Sequence, residues 1–454
     1  MRIAVTKPLF AWGSLEDSPS LSTIQQLLAS LPDARLLEGL RQSRGRGRND
    51  YPVSVLWGVV LLRIVLRHVS FEAVLGELKR NAGLRERIGI AAERDVPKAW
   101  NVSRFLEVLG QDPHRTHLRE MFEEMVRRLG QVVPDLGQNT AGDSTALHAR
   151  SKNGAKAVAA ETAEGLAPPT AGRKEYTDDE GNVTKIVAWF GYKLHLLVDA
   201  KHEVVLAYQT TAANVADGPT LPALVTQAQA VLPEGRIQTL AYDKAADDGG
   251  VHQVLAGARI RPVIENRRLW KDDPERLLPG HDGTTNVVYD EAGTLYCYDR
   301  TTETPVRHPM SYIGYEPARQ TIKYRCPARH EGWTCPSEAL CNTGKEYGKT
   351  VRVDCTLDLR RFPPIPRATK KFERLYRGRT SVERVNARLK LFWGVDDGNI
   401  TGARRFAGMV GAVLGVHLAF AVVLAAAPRH KGTLGKLRLG PIQEALQPWC
   451  YAPR

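Results

Sequence analysis

No C-x-x-C pair occurs in this 454-residue chain, and its six cysteines are too scattered for a small disulfide framework. That excludes the disulfide-stapled secreted class and predicts a reducing compartment, the cytoplasm. The first twenty residues, MRIAVTKPLFAWGSLEDSPS, lack the unbroken apolar run of a secretion signal, because a proline and acidic residues interrupt it. Acidic residues are nearly missing from the last fifth of the chain. Of the 63 Lys and Arg and the 50 Asp and Glu, residues 361–454 hold 17 and 5, a net of +12. The first 360 residues then hold 46 against 45, a net of +1. So lopsided a distribution points to a polyanion, either nucleic acid or an anionic membrane surface, or else marks a solvated basic face.

One apolar run, Ala407–Ala427, is long enough to span a bilayer and has basic flanks. It is rich in alanine and glycine, carries His417 and lacks Trp or Tyr anchors at its ends. Gly408, Gly411 and Gly415 recur at helical spacing, which allows another backbone to approach closely. A helix buried in a protein core is the expected reading, and a membrane span is the rival.

Leu21 to Gly130 reads as helical, with apolar residues at intervals of three and four. Within it, Arg44, Arg46 and Arg48 alternate with glycine, as in a basic arm along a DNA groove or a disordered tether. From Gly137 the pattern changes to strands. QNTAGDSTALHAR reads as a strand ending around Asp143, and AKAVAAETAEGLAPPTAGRKEY as a loop. TKIVAWFGYKLHLLVDA and EVVLAYQTTAAN read as strands, and DGPTLPALVTQAQAVL as a helix with Asp217 near its start. A further strand ends on Asp243, then a helix and a strand follow. This order predicts a mixed α/β sheet.

The predicted organisation is a helical domain (1–135), a core in two parts (136–266 and 373–427), a strand-rich insertion (267–372) and a basic tail (428–454). The insertion is too long for a structureless loop.

RLYRGRTSVERVNARLK, residues 374–390, places Glu383 among many cations. On a helix of about 100° per residue, Tyr376, Arg379, Glu383 and Lys390 fall within a stripe roughly 60° wide. Val382, Val385, Leu389, Phe392 and Trp393 fall on the opposite side. The stripe is either an exposed face with an Arg379–Glu383 ion pair or a functional surface. Three carboxylates gathered from Asp143, Asp243 and Glu383 would repel one another and take up protons. Two Mg²⁺ (or Mn²⁺) ions about 4 Å apart would remove that cost, activate water and hold the leaving oxygen of a phosphodiester. The neighbouring Arg and Lys would then face DNA phosphates.

These residues resemble the Y-x2-R-x3-E-x6-K signature of bacterial insertion-sequence transposases of the DDE type, matched in full by Tyr376, Arg379, Glu383 and Lys390. AGDSTALHA resembles that family's first-aspartate strand. TTAANVADGPTLPAL is similar to the segment after its third strand, and the helical part (1–135) is similar to its DNA-binding region. The second-aspartate motif departs: YDKAADD stands where the family has D-K/R-G-Y-D, so Asp243 is expected, with Asp247 and Asp248 as alternatives. The resemblance implies a ribonuclease-H-like core, metal bound by Asp143, Asp243 and Glu383, and hydrolysis that frees a 3′-hydroxyl for attack on target DNA. It also implies phosphate contacts from Tyr376, Arg379 and Lys390, extended by Arg384 and Arg388. The implied partners are double-stranded DNA carrying terminal inverted repeats, target DNA and a second copy of the chain, at the nucleoid and without a membrane. A DNA-binding protein that kept this core but lost the chemistry is the alternative. Separately, Cys326, Cys335 and Cys341, with Cys297, Cys355 or His330 as a fourth ligand, are candidates for structural zinc. His195 and Lys193 read as structural.

Overall fold

The computed structural model describes residues 19–45, 51–151, 153–178, 182–279, 286–299, 303–342, 344, 346–397, 400–427, 430 and 432–435. Most of the basic tail, and Arg46 and Arg48 of the expected arm, lie outside these residues. Arg44 ends a helix and donates to the Tyr51 carbonyl.

Seven helices come first: α1 (Pro19–Ala29), α2 (Ala34–Arg44), α3 (Val53–Val65), α4 (Phe71–Arg80), α5 (Ala82–Arg87), α6 (Ala99–Leu109) and α7 (His114–Val132). In α4 the buried positions are Val74, Leu75 and Leu78, and Ser70 caps the first turn by accepting from the Ala73 amide at 3.2 Å. α3 is apolar almost all round and lies in the core.

A six-stranded sheet follows, built from β1 (Asn139–His148), β2 (Thr170–Thr177), β3 (Val183–Asp199), β4 (Val205–Ala212), β5 (Thr239–Tyr242) and β6 (Arg261–Ile264). β3 pairs antiparallel with β1, and β5 and β6 extend the sheet from β1 in parallel. β2 and β4 lie end to end along the other edge of β3. Gly191 pairs with both Thr170 and His148, and Tyr192 with both Ala212 and Leu147. Helices α9 (Leu221–Val231) and α10 (Gly249–Gly257) connect the later strands, as the sequence order predicts.

Two segments differ from the sequence reading. β1 does not stop at Asp143 but runs on to His148, because its β3 edge stays paired from Thr140 through His148. The stretch read as a loop contains α8 (Ala155–Ala163) and β2. The Gly and Pro around them suggested irregular chain, but tertiary contacts order α8. Its Glu161 is buried and accepts from Asn153 Nδ2 at 2.9 Å and from the Arg404 amide at 3.4 Å.

The long apolar segment forms α15 (Ala403–Ala426), the one helix among the described residues long and apolar enough to cross a membrane. Its most apolar window is 83% buried against the rest of the chain, between α6, α7, α3 and β4. A Cβ at Gly408 would meet the Leu106 carbonyl at 3.1 Å, and at Gly411 the Leu118 side chain at 3.0 Å, so both glycines allow close helix contact. His417 accepts from the Val205 amide at 3.0 Å, and burial pushes its imidazole far down, keeping it neutral.

Between the sheet and the Glu383 helix lie two small antiparallel sheets: β7 (Glu275–Leu277), β8 (Val287–Asp290), β9 (Leu295–Asp299) and β10 (Val306–Pro309), then β11 (Ser311–Glu316), β12 (Thr321–Arg325) and β13 (Thr350–Asp354). α11 (Pro327–Glu331) and α12 (Glu338–Asn342) join the last two strands. This region has its own apolar cluster, including Val287, Leu295, Ile322, Tyr324, Val351 and Phe362. Its return to the sheet is anchored at Asp247. That carboxylate is fully buried, bonded to Arg360 at 2.8 Å, Arg367 at 3.2 Å, His252 at 3.1 Å and the Arg267 amide at 2.7 Å.

Candidate active site

Parallel pairing aligns Ala141 of β1 with Ala241 of β5. Two residues further along each strand stand Asp143 and Asp243, side by side where β5 ends and β1 continues. Gly142 makes this possible, because a Cβ there would stand 2.6 Å from the Tyr242 ring. Asp243 caps the turn after β5 by accepting from the Ala245 amide at 3.0 Å. The two alternatives have other tasks. Asp247 is the buried anchor described above, and Asp248 caps α10 through the Gly250 amide at 2.8 Å.

Burial pushes the Asp143 carboxyl up to about 6, and the charges of Asp243 and Asp217 add to the rise. The Ser144 amide and Lys174 oppose it. Asp217 was read only as a helix-start residue, yet it faces this pair from beyond β4. It is held by Lys193 at 3.2 Å. His195, fully buried, contacts Thr211 at 2.9 Å and Thr220 at 3.1 Å, and burial pushes it down to the neutral form. Spacing along the chain gave no signal for Asp217, because β3 and β4 bring it in from another part of the sequence.

The Glu383 segment is not one regular helix, as the stripe assumed. It runs α13 (Lys370–Tyr376), a 3₁₀ turn (Arg377–Arg379), α14 (Thr380–Ala387) and a π-helical turn (Arg388–Phe392). Its pitch tightens around Gly378 and widens at Arg388. The apolar side packs as expected: Val382, Val385 and Leu389 are wholly buried, each worth about 1.5–3 kcal/mol. The 3₁₀ turn lies against β1 and β5.

On the other side, Arg379 bonds Glu383 at 2.8 Å and lies near Asp143 and Tyr376; burial opposes its charge, but the carboxylates of Glu383 and Asp143 outweigh that and favour the cationic form. Burial pushes the Tyr376 phenol up to about 12, and Glu265, its hydrogen-bond partner just past β6, adds to the rise. Tyr376 also stacks on Phe372. Lys390 donates to the Ala146 carbonyl of β1 at 2.8 Å and pairs with Asp396 at 3.4 Å. Arg384 and Arg388 converge on Glu203 in the turn before β4, Arg384 at 2.5 Å. Tyr376, Arg379 and Glu383 therefore share the neighbourhood of the two aspartates. Lys390, Arg384 and Arg388 tie the helix to the sheet.

Hard oxygen donors suit Mg²⁺ or Mn²⁺, and the Asp143 carboxyl, raised first by burial and then by the charges of Asp243 and Asp217, is one whose ionised form such a cation would favour. Among the described residues no three His, Cys, Asp or Glu side chains stand close enough to hold one ion. The aspartate pair offers two carboxylates, and Glu383 is held to Arg379. The described cysteines, Cys297, Cys326, Cys335, Cys341 and Cys355, lie in the insertion.

A carboxyl that titrates higher in the folded chain than in the unfolded one binds an extra proton between the two values. Without added metal, the Asp143 contribution to stability should therefore fall as pH rises from about 4 to about 6. The Asp143→Asn variant should lose that slope, as thermal melts across this range would show. An unchanged slope would mean that Asp143 is not the strained carboxylate.

The transposase DDE domain family matches residues 141–419, which include β1, Asp143, Asp243, the insertion, Glu383 and most of α15. No curated protein matches the chain.

Proposed function

The chain belongs to the DDE transposase family, and we propose that it cuts double-stranded DNA at the ends of an insertion sequence and joins the freed 3′-hydroxyl to target DNA. The observation that carries this reading is the β1–β5 register, which sets Asp143 beside Asp243, with the 3₁₀ turn before Glu383 against both strands and α14 against β1. The antiparallel β3 and the parallel β1, β5 and β6 support a ribonuclease-H-like core.

Asp143, Asp243 and Glu383 would hold the divalent cations, which when bound activate water and stabilise the leaving oxygen. Arg379 governs the third ligand. A DNA phosphate competes with Glu383 for the guanidinium, and its arrival releases the Glu383 carboxylate toward the aspartates. Tyr376, a phenol that keeps its proton across the working range, donates to a phosphate oxygen beside Arg379. Lys390, Arg384 and Arg388 hold the helix at the right height over β1. Two copies of the chain bring two ends together, and the protein works at the nucleoid.

Much of the positive charge in the last fifth is already matched inside the fold. Arg367 pairs with Asp247, Arg384 and Arg388 with Glu203, Arg404 with Glu107 and Glu164, and Arg405 with Glu107. DNA affinity should therefore depend on particular side chains more than on net charge. Arg379→Ala should flatten the log–log salt dependence of end binding by about one unit, as one lost phosphate contact would. Arg404→Ala should leave the slope unchanged. Equal slopes for wild type and Arg379→Ala would place Arg379 in a purely internal ion pair. The reading as a whole is tested by incubating the purified chain with Mg²⁺ and duplexes from the DNA flanking its own reading frame. Cleavage confined to end-containing duplexes is the expected result.

A further inference from the structure

Away from the acidic site, the insertion gathers four of its thiols around one lysine. Cys297 lies on β9, paired with Val287 of β8 and His308 of β10. Asn286, next to Val287, donates through Nδ2 to the Cys341 sulfur at 3.4 Å. Asn342 donates in the same way to the Cys326 sulfur at 3.5 Å. Neither amide orientation is arbitrary. Lys349 donates its amide to Asn342 Oδ1 at 2.6 Å and its ammonium to Asn286 Oδ1 at 3.0 Å. With both oxygens occupied, both NH₂ groups face sulfur. The Cys326 amide in turn donates to the Lys349 carbonyl at 2.8 Å. The fourth thiol, Cys335, stands two residues before Ser337, whose hydroxyl bonds Asp299 at 2.6 Å. Asp299 is two residues from Cys297 and so shares its face of β9.

Two N–H donors directed at the Cys341 and Cys326 sulfurs, fixed in place by one lysine, form an environment that suits negative thiolates. They match the outer hydrogen bonds that support metal-bound sulfur. We propose that Cys297, Cys326, Cys335 and Cys341 form a structural tetrathiolate zinc site that staples β8, β9 and the β12–β13 connection together. Among the described residues the sulfurs do not converge on a single point, so closing the site requires the 335–341 segment to move inward. Cys355 is not a ligand: it lies in the apolar cluster with Val351 and Val353. A small region with a limited apolar cluster gains much from such a staple, because thiolate coordination contributes folding free energy directly.

The site is independent of the cleavage chemistry, and so is its test. Full-length protein, purified reduced and without chelator, should contain about one zinc per chain by elemental analysis. Asp143→Asn and Cys355→Ser should keep the metal. Cys297→Ser, Cys326→Ser, Cys335→Ser and Cys341→Ser should each lose it and melt at lower temperature. Where a variant folds poorly, cobalt added to metal-free wild type gives a second readout: thiolate-to-cobalt absorption that zinc abolishes. Wild type with neither zinc nor that absorption would overturn the proposal. So would zinc that survives Cys297→Ser, or four thiols found paired as disulfides.

Discussion

Asp143→Asn and Asp243→Asn should each lower Mg²⁺-dependent cleavage of end-containing DNA by more than about a hundredfold while leaving DNA affinity nearly unchanged. Each substitution keeps the side chain's size and removes a charge that the cations need. The basic residues that meet phosphate are not altered. Asp143→Asn should at the same time make the metal-free protein more stable at neutral pH, because it removes a buried carboxylate repelled by Asp243 and Asp217. A residue that only supported the fold would not combine lost activity with gained stability. Normal cleavage by Asp243→Asn would require another second aspartate, and Asp247 is poorly placed for that task.

Asp247→Ala should be among the most destabilising single changes in the chain. It leaves Arg360 and Arg367, which are 11% and 7% exposed, without their shared carboxylate. Removing one partner of a buried ion cluster costs about 3–5 kcal/mol. The cluster joins α10, the end of β6 and the return from the insertion, so the loss should appear as a lower melting temperature with earlier exposure of the insertion to protease. Because its ion partners and hydrogen bonds hold the Asp247 carboxyl below the usual range despite its burial, this contribution is present at neutral pH. It fades as pH falls through the lowered value. A melting temperature within a degree or so of wild type would show that the cluster is not an anchor.

The two kinds of residue differ in how visible they were from sequence. Tyr376, Arg379 and Glu383 are close in the chain, and helical spacing alone puts them on one side. The apolar back of that helix was legible for the same reason. Asp143 and Asp243 were legible as strand residues, but their alignment is a matter of β1–β5 register, which no local pattern encodes. Asp217 came in unannounced because β3 and β4 carry it across the sheet. The choice between Asp243 and Asp247 also needed three dimensions: only the fold shows two arginines from more than a hundred residues away closing on Asp247. The excess of basic residues in the last fifth pointed to a polyanion, but not to which side chains are free to meet it. It is lopsided along the chain, while in space Glu107, Glu164, Glu203 and Asp247 answer it. α8 was missed because alanine-rich chain between glycines and prolines carries no strong periodicity, and its buried Glu161 finds its partners from distant segments.

Glu383 is the residue on which the account turns, since it is paired with Arg379 and, in the proposed mechanism, changes partners when DNA arrives. The most direct measurement is single-turnover cleavage of end-labelled duplexes, made from DNA flanking the reading frame, with Mg²⁺ and saturating wild-type or Glu383→Gln protein. The account predicts that wild type leaves a 3′-hydroxyl at the element end and that Glu383→Gln, bound equally well, leaves the duplex intact. Cleavage by Glu383→Gln at the wild-type rate would contradict it.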